Sequence, residues 1–260
     1  TVEHASCNGY QLAITLCATT TDSAGLLQVI REEGGGRNDC IYFELDENSG
    51  QLIDNGTIPL EGRDVSCIDV GEAGSKYLAV GSWDNHLQIF SLDHDKPAEY
   101  HTQLAGAGFS SRPHSVCFHS VSNKMYIHVG LVNGELNRLR LSSGAEIGLS
   151  LVSQQLLTGD VLNSISKLDM SAIPVQVIRV KIQNPDNGAL ETAVVATSSQ
   201  TMLVRSTCTE GDSSKVSNIF DAVLPVKPLQ YACSVMYKSH HTSGRCTTAL
   251  MTISQGRIFE

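Results

Sequence analysis

The sequence predicts an all-β fold, a β-propeller of four-stranded blades, and two observations support this prediction. First, a pattern of apolar strand, two-residue polar turn and second strand occurs four times, in residues 77–89, 126–138, 192–204 and 248–258. Second, the turns of these copies lie 49, 66 and 56 residues apart, at Asp84, Asn133, Ser199 and Gln255. Self-similarity at a period of roughly 40–60 residues, with strands as the unit, is typical of a propeller.

The turns identify the strands of each blade. The apolar run before a turn is predicted to be an inner strand, and the alternating segment after it is predicted to be the next strand outward. The first blade is predicted at 2–7, 12–17, 40–45 and 52–58, and the second at 65–70, 77–82, 87–92 and 99–104. The third is predicted at 115–120, 125–129, 136–141 and 149–156, and the fourth at 175–182, 192–197, 202–206 and 217–224. A fifth begins at 231–237, 248–253 and 257–260.

This count gives four blades and part of a fifth, in one domain over residues 1–260, and predicts about five blades of a seven-bladed propeller. An open propeller would leave unpaired sheet edges, which proteins avoid. We therefore expect a fragment of a larger multi-propeller protein. Residues 18–38 are predicted to be an insertion, and residues 160–170 have the apolar spacing of a short helix.

The net charge and the length of the apolar stretches restrict which classes of partner are expected. The formal net charge is −9 and the isoelectric point is about 5.4, so direct binding to a nucleic-acid backbone is disfavoured. No apolar stretch approaches the ~20 residues of a membrane-spanning helix. The expectation is a chain with no membrane partner that contacts RNA only indirectly.

Eight cysteines are present, and none forms a Cys-x-x-Cys pair. Cys67, Cys117 and Cys233 lie inside apolar strand patterns, where a free cysteine behaves as a small hydrophobic residue. We expect all eight to be reduced, with no disulfide framework. Asn55-Gly-Thr57 matches a glycosylation sequon, but Asn-Gly is also a common turn dipeptide, and the turn is the favoured interpretation.

No segment presents a complete set of catalytic or metal-binding residues. Gly71-Glu-Ala-Gly-Ser-Lys76 resembles a phosphate-binding loop faintly, but it joins two predicted strands instead of a strand and a helix. His128 takes the place of the small Ala79 in the aligned strand, and we interpret it as a packed core histidine. Trp83-Asp84 resembles the dipeptide of WD repeats, but it lies in the wrong turn and has no Gly-His partner.

Two clusters are candidate metal sites. Asp93-His-Asp95 and His101 form one, and His240, His241 and Cys246 form the other. Neither supplies the four placed ligands of a closed site, so we expect no metal and no cofactor. The motifs of serine hydrolases and zinc proteases, and the paired carboxylates of glycosidases, are not visible either. We expect a protein that is not an enzyme; a propeller enzyme with carboxylates around its channel stays a minor alternative.

The repeats resemble a family of three-propeller proteins. It includes damaged-DNA-binding protein 1, the largest cleavage and polyadenylation specificity factor subunit and the large propeller subunit (subunit 3) of splicing factor 3b. The resemblance rests on Val65-Ser-Cys-Ile-Asp-Val70, on the segment from Tyr77 to Leu92 and on Val129-Gly-Leu-Val-Asn-Gly-Glu-Leu136. Of the three branches the splicing branch is the most similar, through Tyr42-Phe-Glu-Leu-Asp46, Ser49-Gly-Gln-Leu52, Gly130-Leu-Val-Asn-Gly134, Pro174-Val-Gln-Val-Ile-Arg-Val180 and Val195-Ala-Thr-Ser-Ser199. The match lies on the middle propeller; the insertion after Cys17 and residues 158–173 and 209–214 depart from it.

The resemblance implies a nuclear, non-catalytic scaffold of the U2 small nuclear ribonucleoprotein, acting in pre-mRNA splicing and branch-site recognition. It implies contact with a HEAT-repeat subunit and a small subunit of splicing factor 3b, and with other spliceosomal proteins. The alternatives are a cullin ubiquitin-ligase adaptor, as in the damaged-DNA-binding relative, and a polyadenylation scaffold. The resemblance assigns no binding residue to this sequence. We expect partners on loops at the blade rims, first at residues 19–39 and 158–173.

Overall fold

A computed structural model describes the backbone of most of the chain. The described residues are 2–7, 11–16, 40–46, 48–58, 60, 65–71, 76–92, 103–121, 124–142, 147–157, 174–183, 190–198, 201–204, 231–238, 246–254 and 257–259. Every regular element among them is a β-strand, so the predicted all-β fold class is confirmed. The insertion at 18–38, the predicted helix at 160–170 and the predicted strand at 217–224 lie outside the described residues.

The strands form five sheets that follow one another along the chain. The first contains β1 (Val2–Cys7), β2 (Gln11–Leu16), β3 (Cys40–Leu45) and β4 (Leu52–Ile58). The second contains β5 (Val65–Asp69), β6 (Tyr77–Ser82), β7 (His86–Ser91) and β8 (Gln103–Gly108). The third contains β9 (Pro113–Val121), β10 (Lys124–Leu131), β11 (Glu135–Leu141) and β12 (Leu149–Leu156).

The last two sheets have three described strands each. The fourth sheet contains β13 (Gln176–Gln183), β14 (Leu190–Thr197) and β15 (Thr201–Val204), and the fifth contains β16 (Tyr231–Lys238), β17 (Cys246–Ser254) and β18 (Arg257–Phe259). In all five sheets, strands that are consecutive in sequence are neighbours in space. Successive meanders of this kind are the blades of a β-propeller, as the repeat pattern predicted.

The chain divides into two compact units, Thr1–Phe118 with Leu141–Ser150, and His119–Arg140 with Leu151–Glu260. The first unit has a core of apolar side chains from the first two sheets: Cys40, Tyr42, Ile58, Leu60, Val65, Ile68, Val70, Leu78, Val80, Phe90 and Leu92. In the second unit the buried apolar residues include Ile127, Val129, Leu131, Leu136, Leu139, Val175, Val177, Val194 and Val195.

In the second and third blades the second strand is buried, as predicted. In β6 only Tyr77 is partly exposed, and in β10 residues 127–131 are all buried while Met125 and Tyr126 are half-buried. Such strands are covered on both faces, which explains why they appear in the sequence as continuous apolar runs and not as alternating patterns.

Three predictions differ from the structure in detail. The last strand of the second blade was predicted at 99–104 and is found at Gln103–Gly108, where the small residues of Leu-Ala-Gly-Ala-Gly pair with β7. The two-residue turns predicted at Asp84 and Asn133 prove to be three-residue loops, since Trp83 and Val132 also belong to them. Asn55-Gly56 is not a turn: it lies within β4 at a bulge, where these two residues lie opposite one residue of β3 and Gly56 has a φ of 95°.

Candidate functional site

One end of the second sheet, where its strands are connected, carries an exposed surface built from two connections. The β6–β7 hairpin contributes residues 83–86 and the β8–β9 loop contributes residues 109–112. The N–H of Phe109 donates to the carbonyl of Asn85 at 2.8 Å, which joins the loop to the hairpin tip. We call these eight residues the Trp83 surface.

Trp83 and Arg112 form the centre of the Trp83 surface. The guanidinium carbon of Arg112 lies 3.5 Å from the centroid of the Trp83 ring, the geometry of a cation–π contact. Trp83 is 58% exposed, although large aromatic side chains are usually much more buried. It is also the only tryptophan in the chain.

The hairpin tip beside Trp83 is held by side-chain hydrogen bonds. The hydroxyl of Ser82 donates to the carboxylate of Asp84, and the Nδ1 atom of His86 lies 2.8 Å from the Asp84 carbonyl oxygen. Asn85 takes a φ of 67°, a left-handed conformation that asparagine tolerates better than most residues. These contacts fix the turn, so Trp83 projects from a defined backbone.

Close packing connects the hairpin to the start of β9. A Cβ atom at Gly81 would lie 2.9 Å from the Cβ of Pro113 and 2.6 Å from the Sγ of Cys67, distances that real Cβ atoms do not reach. Only glycine fits at this position. Since Pro113 follows Arg112 directly, this contact also positions the Arg112 backbone against the hairpin.

A second group of polar residues is buried in the third sheet. His119 on β9 and His128 on β10 are fully buried, with ring centroids 5.5 Å apart. The Nε2 atom of His119 lies 3.1 Å from the carbonyl oxygen of Thr192 on β14. Arg138 on β11 stacks over the ring of Tyr126 at 4.0 Å.

His128 is a packed core histidine, as the sequence predicted. Neither of its ring nitrogens has a hydrogen-bond partner among the described residues. Burial lowers the pKa of His128 well below its ordinary value of 6.5, and the nearby His119 and Arg138 lower it further. A ring that stays neutral and has no solvent access is poorly suited to proton transfer, so the arrangement is a structural one.

The predicted candidate ligands are not brought together in the described part of the chain. Residues 93–95, His101, His240 and His241 lie outside the described residues, and no group of three potential metal ligands occurs within them. Gly71 and Lys76 flank the connection between β5 and β6, which are paired antiparallel strands. Lys76 is therefore followed by a strand, and not by the helix that a phosphate-binding loop requires.

The structure describes the side chains of three of the eight cysteines: Cys40, Cys67 and Cys117 are buried, and none of the three forms a disulfide. Burial raises the pKa of the Cys67 thiol to about 12, which leaves it protonated and unreactive at neutral pH. The rim insertions at 19–39 and 158–173, which the sequence favoured as partner surfaces, lie outside the described residues.

The Trp83 surface was not predicted from the sequence. Its two halves are separated by more than twenty residues, and only the register of β7 with β8 and the turn into β9 brings them together. The one available signal was a lone tryptophan next to a turn. No helix with the length and apolar character of a membrane span occurs among the described residues.

Comparison with known proteins gives a match over most of the chain. The family described as RSE1/DDB1/CPSF1 second beta-propeller matches residues 1–243. Splicing factor 3B subunit 3 of Danio rerio is 26% identical over 250 residues, covering 89% of this chain and 17% of the relative.

Two plant proteins are more similar over a shorter stretch. Spliceosome-associated proteins 130 A and 130 B of Arabidopsis thaliana are each 35% identical over 129 residues, covering 43% of this chain and 10% of each relative. The chain therefore spans less than a fifth of the length of these relatives.

Proposed function

Because the chain belongs to the RSE1/DDB1/CPSF1 second β-propeller family, we propose that it is a propeller segment of a nuclear spliceosomal scaffold. It acts by protein–protein contact within a larger multi-propeller protein, as part of the splicing factor 3b complex of the U2 small nuclear ribonucleoprotein. Its partners are the HEAT-repeat subunit, the small subunit and other spliceosomal proteins of that complex.

The observation that carries this proposal is the extended similarity to splicing proteins. The match to the zebrafish splicing factor runs over 250 residues, and both plant relatives are named as spliceosome-associated. A match of this length follows the order of the blades and does not depend on one short motif. This similarity favours the splicing branch over the ubiquitin-ligase and polyadenylation branches of the family.

A non-catalytic role fits the chemistry of the described side chains. The rings of His119 and His128 are closed to solvent, and burial lowers the pKa of His128. Trp83, the most exposed aromatic residue in the described part of the chain, lies on a rim connection, where propellers bind other macromolecules. These features support a binding surface and supply no nucleophile or activated base.

RNA is proposed to meet this segment only through its protein partners. A formal net charge of −9 repels the phosphate backbone, and the counterion release that drives nucleic-acid binding needs clusters of Lys and Arg. Charge thus favours protein partners even inside a ribonucleoprotein.

Affinity purification of the complete protein from nuclear extract tests the proposal. We expect the HEAT-repeat subunit of splicing factor 3b and U2 RNA in the purified material. Recovery of a cullin and ubiquitin-ligase components would instead assign the chain to the damaged-DNA-binding branch. Recovery of neither set would overturn the scaffold proposal and favour the propeller enzyme.

A further inference from the structure

We propose that the Trp83 surface binds an extended segment of a partner protein that places one carboxylate beside an apolar side chain. The carboxylate pairs with Arg112 and the apolar group packs on Trp83. This inference rests on the proposed scaffold function, and it names the surface and the chemistry of the contact.

The first argument is the exposure of a residue that its own hairpin does not need. The next hairpin, between β10 and β11, has the same three-residue loop, and it carries Val132 where the first hairpin carries Trp83. Val132 is half-buried, whereas Trp83 is 58% exposed. The loop therefore forms without an aromatic residue at this position, and an exposed tryptophan is costly to keep in water.

The second argument concerns the charge of Arg112, which no described carboxylate pairs with. Arg112 stacks on Trp83, and no carboxylate among the described residues forms an ion pair with it. Asp84, the acidic residue of the surface, is engaged by the hydroxyl of Ser82 and lies 3.5 Å from His86. A guanidinium held against a ring loses side-chain freedom before a ligand arrives, and its fork of N–H donors suits a bidentate carboxylate.

The third argument is rigidity. The Phe109–Asn85 backbone bond, the Ser82–Asp84 bond and the packing of Gly81 against Pro113 order both halves of the surface before any partner binds. Binding then requires little further ordering of this protein, so most of the interaction energy contributes to affinity. Exposed Trp and Arg on an ordered frame are the residue types that dominate binding energy at protein interfaces.

Charge also defines which segment fits. Asp84 would repel a run of acidic residues, so a single carboxylate is expected and an acidic tract is not. RNA is disfavoured as the occupant, because the chain carries nine net negative charges and the Trp83 surface has one arginine. A base stacked on Trp83 would receive little additional binding energy, because the single arginine offers few contacts to the phosphate backbone.

A photo-cross-linking amino acid at position 110 tests the proposal in the complete protein. Ser110 is exposed and lies two residues before Arg112, so the substitution leaves both central side chains in place. After irradiation of the native assembly, mass spectrometry identifies the linked segment. We expect a protein segment with an Asp or Glu within about three residues of a large apolar residue. A cross-link to RNA, or to a segment without an acidic residue, would overturn the proposal.

Variants then separate this contact from folding defects. Trp83→Val gives the hairpin the residue its neighbour has, and Arg112→Glu reverses the charge; each should lower the cross-link yield by about tenfold or more. Leu151→Ala is the control, because Leu151 is 57% exposed and lies on β12 in the third sheet. Exchanging the carboxylate of the identified segment for Lys should restore the yield with Arg112→Glu.

The two proposals fail in different ways. Suppose the complete protein recovers splicing proteins but both variants cross-link as well as the wild type. The Trp83 surface is then not a binding site, and the scaffold role stands. If no splicing protein is recovered, the scaffold role fails, whatever the cross-link shows.

Discussion

Asn85 and Gly134 occupy the same position in two successive hairpins, and both have a left-handed backbone, with φ angles of 67° and 87°. Their N–H groups donate to the carbonyls of Ser82 and Leu131, and their carbonyls accept from Phe109 and Leu157 at 2.8 and 2.9 Å. The two positions are 49 residues apart, the spacing of the turns in the sequence. The repeat in the sequence therefore corresponds to the same pair of backbone hydrogen bonds in each hairpin.

Alanine at either of these positions should destabilise the protein. Gly134→Ala adds a Cβ in the left-handed region, at a cost of about 1–2 kcal/mol, and Asn85→Ala removes the polar side chain through which asparagine tolerates this region. Asn85→Gly is the matched control and should change the free energy of unfolding by less than about 0.5 kcal/mol. Urea unfolding measures all three. An alanine variant more stable than the wild type would show that the loops are not left-handed at these positions.

Gly81→Ala should be destabilising because of space and not because of backbone conformation. The new methyl group would lie 2.6 Å from the Sγ of Cys67, and relieving the overlap should cost about 1–3 kcal/mol. Gly108→Ala is the comparison, since its methyl group would meet only the ring of His86, at the ordinary distance of 3.6 Å. Thermal unfolding should separate the two variants; equal melting temperatures would contradict the crowding.

Asp69→Ala should weaken the link between β5 and β9. The buried carboxylate of Asp69 accepts from the N–H of Phe118 at 2.7 Å, and its loss leaves that donor without this acceptor, which costs about 1–3 kcal/mol. Asp69→Asn keeps an oxygen acceptor in place and should cost less. If the two variants prove equally stable in urea, the hydrogen bond contributes nothing.

The stability of the protein should fall as the pH drops below about 6.5. The folded state holds His128 neutral because its pKa is lowered by burial, while the unfolded chain takes up a proton at that pH. The lost stability approaches about 1.4 kcal/mol per pH unit for this one group. In His128→Leu the free energy of unfolding should depend less steeply on pH between pH 6.5 and 5, by the slope that corresponds to about one proton. An unaltered slope in the Leu variant would contradict the assignment.

The fold could be predicted because its strands carry a local signal. β6 and β10 are apolar runs followed by turn residues, and both were predicted within two residues of their bounds. β8 was displaced because Ala105, Gly106 and Ala107 have little strand preference, and their pairing with β7 overrides it. Local patterns therefore identify the inner strands better than the outer ones.

The candidate site could not be predicted to the same degree. The contact between Trp83 and Arg112 depends on blade register and on the Phe109–Asn85 bond, which a single sequence does not reveal. The burial of His128 could be predicted from its alignment with Ala79, but its approach to His119 depends on the pairing of β9 with β10. Contacts between distant segments need the packed structure.

Cryo-electron microscopy of the assembly purified on the complete protein tests the central claim most directly. The account predicts that this chain forms propeller blades whose rim connections touch spliceosomal proteins, with no RNA within contact distance of its surface. A structure in which RNA lies against these blades, or an assembly without splicing proteins, would contradict it.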